Sequence, residues 1–370
     1  MAEKTTNTGI STIKFMATIL EKQNKSLVVG EISIYLPGLG VGQVLVKVHC
    51  ASICGAQIGE ISGAAGPDKY LPHLLGHEGA GVVEEIGAGV THVEKGDHVV
   101  MHWRKGNGIE AKPPKYKWRN GEVGAGPIAT FAEYAIVSEN RLTRIDEDIP
   151  FQIAALMGCA VTTGLGIINN EAKLKIGQSI AVIGCGGVGL NVVQGAKIVS
   201  ANPIIAIDIH DEKLDMARHF GATHTINGRD FLYSPKAKTL EDVLSSLAEQ
   251  INKIAILDVA IECTGKSGLM ELGYKIIGAG GRLILVGQPR YDEAFTIHSM
   301  RQHYCGKTVL DSQGGQTNPS RDIPRYLNLF KLGKLDLAPL ITHRYPLTQI
   351  NKAVETVKSG MCGKVILEMK

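Results

Sequence analysis

Residues 180–190 read IAVIGCGGVGL, an apolar run broken by Gly184, Gly186 and Gly189 in the pattern G-x-G-x-x-G. Alone, that pattern is weak evidence. Here a buried strand is predicted before it (Ser179–Gly184) and a helix after it (Gly187–Val199), and Asp208 ends the next predicted strand 19 residues beyond Gly189. This is the full strand–turn–helix–strand setting in which a parallel sheet holds a dinucleotide. Gly184 permits the tight turn, Gly186 lets the backbone approach a pyrophosphate, and Gly189 lets the helix pack closely on the strand. Gly187 and Val188 open that helix, whose unpaired N–H groups and positive dipole end favour phosphates. Asp208 is placed to accept ribose hydroxyls and to repel a 2′-phosphate, so NAD is expected rather than NADP.

The same alternation continues downstream. Strands are predicted at Ile204–Asp208, Thr223–Asn227, Leu257–Cys263 and Arg282–Gly287, with helices at Asp211–Phe220, Leu240–Lys253 and Ser267–Ile277. Alternation of this kind implies right-handed crossovers and a doubly wound parallel sheet. Upstream, Val44–His49, Gly81–Ile86 and His98–His102 are short β runs separated by turns, so that region reads as β-rich. Residues 1–13 read as a loose tail. Residues 105–126, rich in Gly and Pro and carrying Lys105, Lys112, Lys115, Lys117 and Arg119, read as a basic surface excursion. At 370 residues two domains are expected, one inserted in the other: 1–160 with 304–370, and 161–303.

Composition excludes several classes. A formal charge of +3 gives no basis for nucleic-acid or membrane-surface binding. The most apolar stretch, Ser179–Leu190, is too short and glycine-rich to span a bilayer. The seven cysteines are odd in number and irregularly spaced, with no signal peptide before them, so a reducing, cytoplasmic setting is expected. There, thiols are either buried small side chains or metal ligands.

Three further fragments, SICGAQ (52–57), LLGHEG (74–79) and MGCAVTTGLG (157–166), carry chemistry. With the glycine fingerprint they resemble the zinc-dependent alcohol dehydrogenases of the medium-chain dehydrogenase/reductase family. GVVEEIGAGV (81–90), TFAEY (130–134), IECTG (261–265) and DIPRYLNLF (322–330) follow in the family's order. The resemblance implies an α/β fold: a GroES-like β-rich catalytic domain with an inserted Rossmann domain. It implies Cys54, His77 and Cys159 as ligands of one catalytic zinc, with Glu78 beside the metal or exchanging as a ligand. Two thiolates and an imidazole leave a fourth position for a substrate oxygen. It further implies Thr163, Val286 and Gly287 near the nicotinamide, Lys213 near the adenosine ribose, Lys364 at the pyrophosphate, and Trp103 in the substrate pocket. Homo-dimers or homo-tetramers are expected, as is a small alcohol or carbonyl substrate. Cys50, Cys185, Cys263, Cys305 and Cys362 match no ligand position and read as packing residues.

The chain departs from the family in two places. Residues 100–130 contain no cysteine, so a four-thiolate structural zinc is not expected there. Around Cys54, the usual hydroxyl and imidazole of a proton relay are replaced by Ala56 and Gly59, and an Asp that orients the ligand His is replaced by Gln57. Neither Ala nor Gly moves a proton. Water, with Glu78 or Glu60 as acceptor, is one substitute; a polyol or hydroxy acid that brings its own second ligand or proton path is another. The latter, with the basic excursion, favours a sugar-like, phosphorylated or anionic substrate. Two other readings are compatible with parts of the sequence: a zinc-free, NADPH-dependent quinone or enone reductase, which the three ligands and Asp208 oppose, and a non-catalytic nucleotide-binding module.

Overall fold

The computed structural model describes residues 4–7, 10–36, 38–229, 240–297 and 304–369. Strands Ile180–Ile183, Ile204–Asp208, His224–Asn227, Leu257–Glu262, Ile277–Leu285 and Thr308–Asp311 form a six-stranded sheet, parallel throughout. Ile180–Ile183 lies at its centre, between Ile204–Asp208 and Leu257–Glu262, with Ile183 opposite Ile207 on one side and Glu262 on the other. Every side chain of that strand is buried, as expected where helices cover both faces. Helices Gly187–Ile198, Asp211–Phe220, Leu240–Ile254 and Ser267–Ile276 make the crossovers. Thr308–Asp311 extends the sheet beyond residue 303, the boundary expected from sequence. Segment 305–311 looked like loop because a four-residue strand becomes legible only through its partner.

Two β-rich sheets surround the chain's other half. In one, Gln43–Ser52 lies between Glu78–Ile86 and the C-terminal strand Lys364–Glu368, pairing antiparallel with both. Ile366 sits opposite Ser52, so the two ends of the chain build one unit. The second sheet curls on itself: Ile10–Leu20 pairs with Val28–Leu36 on one edge and with His73–Leu74 on the other. Two expectations are corrected in this sheet. The supposed tail supplies strands Lys4–Asn7 and Ile10–Leu20, paired with each other antiparallel. The basic excursion folds as a hairpin, Lys115–Trp118 with Gly121–Gly124, whose Tyr116 and Val123 are buried in the sheet's core.

Helix Phe151–Met157 and the helical run 160–171 join the two units. Ile153, Leu156, Val161 and Leu165 pack in one apolar cluster with Val182 and Leu190 of the parallel sheet unit and Ile366 of the C-terminal strand. That burial fixes the cleft between the units. Among the described residues no single helix is long and apolar enough to cross a membrane.

Candidate active site

A cavity of about 810 Å³ opens in the cleft, walled by both units. One wall is built at three chain positions. Cys54 is the N-cap of helix Gly55–Ser62, His77 immediately precedes strand Glu78–Ile86, and Cys159 precedes helix Ala160–Gly166. Their ligand atoms all lie within 4.8 Å of one another. His77 Nε2 is buried and has no hydrogen-bond partner. An orphaned buried ring nitrogen facing two sulfurs is what a tetrahedral N/S metal site requires, so the donor set fits zinc. The Cys54 thiol is pulled well below its usual range, foremost by the hydrogen bond from Cys159 and then by His77, against the effect of burial. Cys159 is pushed up by that same bond and by burial. Burial disfavours a charged His77, but the Cys54 sulfur, with the Glu78 and Glu60 carboxylates, outweighs it and raises the imidazole.

Gln57 organises this wall. Its Oε1 accepts from the Cys54 backbone N–H at 3.0 Å, and its amide nitrogen meets His77 Nδ1. The imidazole is therefore held by an uncharged partner, as the substitution of Asp by Gln suggested. Ala56 and Glu60 lie one helical turn apart, and both line the cavity.

Glu78 is not free to act as a base. It is fully buried, and the Lys364 ammonium lies 2.5 Å from Oε1 and 3.1 Å from the Ile53 carbonyl. Burial alone would lower the Lys364 pKa; Glu78 and the Cys54 sulfur raise it instead. The expected place of Lys364 at the pyrophosphate is thus modified. Its stem runs beside the glycine turn, where a Cβ on Gly187 would approach Lys364 Cδ to 2.5 Å, while its charge is committed to Glu78.

The opposite wall is the glycine turn. Gly184 has φ +94°, a conformation costly to any residue with a Cβ, and a Cβ on Gly189 would stand 2.0 Å from the Gly184 carbonyl oxygen. A Cβ on Gly186 would meet nothing within 4 Å, so that backbone faces open cleft. Gly186, Gly187, Val188, Gly189, Thr163, Lys213, Val286, Gly287 and Lys364 line the cavity, as does Trp103. Gly184 and Asp208 do not. The Asp208 carboxylate accepts from the backbone N–H groups of Cys185 (2.8 Å), Ile209 (2.8 Å) and His210 (3.1 Å), so it braces the turn. Trp103 is wedged by Gly314, where a Cβ would approach its Cζ2 to 2.6 Å.

The remaining walls come from residues no motif announced. Met270, Pro289, Phe295 and Gln313 line the cavity, carried there by loops that follow strands of the parallel sheet or by its helices. Cys263 and Cys362 also line it, and Cys305 is exposed, so these three are not simple packing residues. No residue between 105 and 126 reaches the cavity. Lys115 pairs with Glu122 and Arg119 with Glu21 on the surface.

Residues 40–147 match the alcohol dehydrogenase GroES-like domain, and residues 187–331 match the zinc-binding dehydrogenase family. S-(hydroxymethyl)glutathione dehydrogenase of Escherichia coli is 32% identical over 96% of this chain and 100% of its own length. The structure is similar to benzyl alcohol dehydrogenase from Acinetobacter calcoaceticus (TM-score 0.84, 26% identity, 96% of this chain and 99% of that one). It is also similar to an alcohol dehydrogenase zinc-binding domain protein from Burkholderia ambifaria (TM-score 0.85, 26% identity, 97% and 100%).

Proposed function

The chain belongs to the zinc-dependent alcohol dehydrogenases of the medium-chain dehydrogenase/reductase family, and from that premise we propose that the cleft oxidises a neutral alcohol, or reduces its carbonyl counterpart, with NAD. One observation carries this reading: the Cys54–His77–Cys159 cluster, with its orphaned imidazole nitrogen, shares a cavity with the glycine turn. These three residues would hold one zinc per chain, which supplies Lewis acidity toward the substrate oxygen. The absence of cysteine from residues 100–130 supports a single ion.

The chain's own residues divide the remaining work. Gln57 orients His77; Gly186 to Gly189 receive the pyrophosphate; Thr163, Val286 and Gly287 flank the nicotinamide; and Lys213 lies toward the adenosine. Asp208 braces the glycine turn at that end, and an acidic side chain there supports NAD over NADP. Trp103 and Phe295 shape the substrate end and exclude water from it. A neutral substrate is favoured because Glu60 is the charged side chain on the metal-cluster wall, Lys364 is neutralised by Glu78, and the basic hairpin lies off the cavity. We assign the catalytic unit to both chain ends and the NAD unit to the inserted parallel sheet, through Asp311. A cytoplasmic homo-oligomer completes the proposal, with light scattering as its check.

Elemental analysis followed by NADH absorbance, across a panel of alcohols and polyols with NAD and NADP in parallel, tests the reading. One zinc per chain with NAD-linked turnover is expected. Zinc-free protein that reduces enones with NADPH alone would overturn it.

A further inference from the structure

We propose that Glu60 is the proton acceptor for the substrate hydroxyl, taking the place of the relay that Ala56 and Gly59 cannot form. This rests on the reading of the cleft as an alcohol dehydrogenase site. Glu60 projects from the helix that Cys54 caps and lines the same cavity as Cys54, His77 and Cys159. Ala56, one turn earlier on that face, has no side chain long enough to compete for the space. A Cβ on Gly59 would meet nothing within 4 Å, so the place of a bulkier relay side chain is open.

The carboxylate is unengaged: it makes no hydrogen bond with any described residue. The other acidic or amide groups on this wall are committed, Glu78 to Lys364 and Gln57 to Cys54 and His77. The ionisable groups whose charges act on Glu60 are His77 and Cys54 in the cluster, and His73 with Asp68. Burial raises the Glu60 pKa most, with Asp68 and Cys54 adding to it and the two histidines opposing. A carboxyl raised toward neutrality is better matched to acid–base work at physiological pH than an ordinary one. His73 Nε2 lies 2.7 Å from Asp68 Oδ2, and both side chains are less than one-fifth exposed, at 17% and 14%.

In oxidation the substrate O–H bond breaks and its proton passes to a Glu60 oxygen, directly or through one water. The carbinol hydrogen leaves with its bonding pair as hydride to NAD, which is reduced to NADH, and the C–O bond becomes C=O. Glu60 then returns the proton to solvent. Carbonyl reduction runs the same steps backwards, with Glu60 as donor.

The test is Glu60→Gln and Glu60→Asp in zinc-loaded full-length enzyme. Glu60→Gln is expected to lower kcat on the order of 10²- to 10⁴-fold while leaving KM, NADH affinity and zinc content near wild type. The acidic limb of the pH–kcat profile should disappear with it, and Glu60→Asp should recover part of the rate. A second readout needs no turnover. Isotope-edited infrared titration of the resting protein should show a glutamic acid band that titrates above the ordinary range and is absent from Glu60→Gln. If the wild type turns over and Glu60→Gln matches it in rate and pH limb, or if the infrared band survives, the assignment is wrong while the dehydrogenase reading stands. If both variants lose zinc and activity equally, Glu60 is structural and the assignment also fails. Wild-type protein that is inactive with every alcohol and NAD defeats the reading of the cleft itself.

Discussion

Replacing Lys364 by Met isolates the cost of one buried charge. The Lys364 and Glu78 side chains are 5% and 0% exposed, and they meet at 2.5 Å. Met keeps most of the apolar stem beside Gly187 but removes the ammonium. Removing one partner of such a pair typically costs about 3–5 kcal/mol, because the other charge is left buried and alone. The carboxyl has one escape, which is to bind a proton. For a glutamate of ordinary pKa near 4.3 that costs about 4 kcal/mol at pH 7 and about 1.6 kcal/mol at pH 5.5, at about 1.36 kcal/mol per unit. The defect of Lys364→Met is therefore expected to shrink by about 2 kcal/mol as pH falls from 7 to 5.5.

The wild type should show no such trend from this pair. Lys364 has a folded-state pKa above its ordinary 10.5, so its contribution is fully present below that value and is lost only as pH rises through the higher one. Melting of the wild type, Lys364→Met, Glu78→Gln and the double variant, at both pH values and with metal content matched, measures this. At about 2–4 °C per kcal/mol, Lys364→Met should melt about 6–20 °C lower at pH 7, and the double variant should recover most of the loss. A defect below about 1 kcal/mol that is flat with pH would refute the reasoning, since it would mean that water reaches Glu78.

Gly189→Ala places a methyl 2.0 Å from the Gly184 carbonyl, so it should cost about 1–3 kcal/mol or more and abolish NADH binding followed by fluorescence. Glutamine in place of Lys112, Lys115, Lys117 and Arg119 should leave KM unchanged, because none of the four lines the cavity; a raised KM would restore the case for an anionic substrate. Burial opposes ionisation of Glu110, but hydrogen bonds from Asn140, Lys105 and Arg141 pull it down to about 2. Its stabilising effect is thus present above the ordinary glutamate range and lost as pH falls toward 2. The stability gap between wild type and Glu110→Gln, from urea titrations, should be small at pH 7 because the carboxyl is exposed, and should close on acidification.

Local chemistry was legible in the sequence wherever one short segment carries its own constraint. The glycine turn is such a segment: Gly184, Gly186 and Gly189 answer to backbone geometry within a few residues of themselves. Cys54, His77 and Cys159 were found through resemblance, and the structure brings them together. Strands that depend on distant partners were not legible. The first strands looked like a tail because residues 4–13 are polar, and they are held by pairing with each other and with Val28–Leu36. The alternation of Lys115, Tyr116, Lys117 and Trp118 was present in the hairpin, but the surrounding Gly and Pro obscured it. The Glu78–Lys364 bond spans 286 residues and exists only because the C-terminal strand pairs with Gln43–Ser52. No local pattern encodes it. Asp208 shows the reverse: it stands at the end of its strand as the fingerprint expects, but its oxygens are engaged by the backbone N–H groups of Cys185, Ile209 and His210.

The hydride and proton routes place unequal demands on a chain. Hydride transfer needs a nicotinamide held in one orientation, which rests on backbone approach at the glycine turn, where a Cβ on Gly189 would meet the Gly184 carbonyl oxygen at 2.0 Å. Proton transfer needs only an acceptor of suitable pKa within hydrogen-bond reach, directly or through water. Such a group can move along a helix face without disturbing the fold, so an intact fingerprint beside an altered helix after Cys54 is a coherent combination. The proton route can therefore be moved back. Gly59→His enters open space, where a Cβ meets nothing within 4 Å, and it removes a mid-helix glycine worth about 0.5–1 kcal/mol in helix stability relative to Ala. In the Glu60→Gln background it should therefore fold at least as well as its parent and recover part of the lost kcat. The new limb in the pH–rate profile should lie near the imidazole range of about 6.5. Recovery without that shift would mean the histidine only reshapes the pocket. A well-folded double variant with no recovery would mean that the proton leaves by a path this helix does not control.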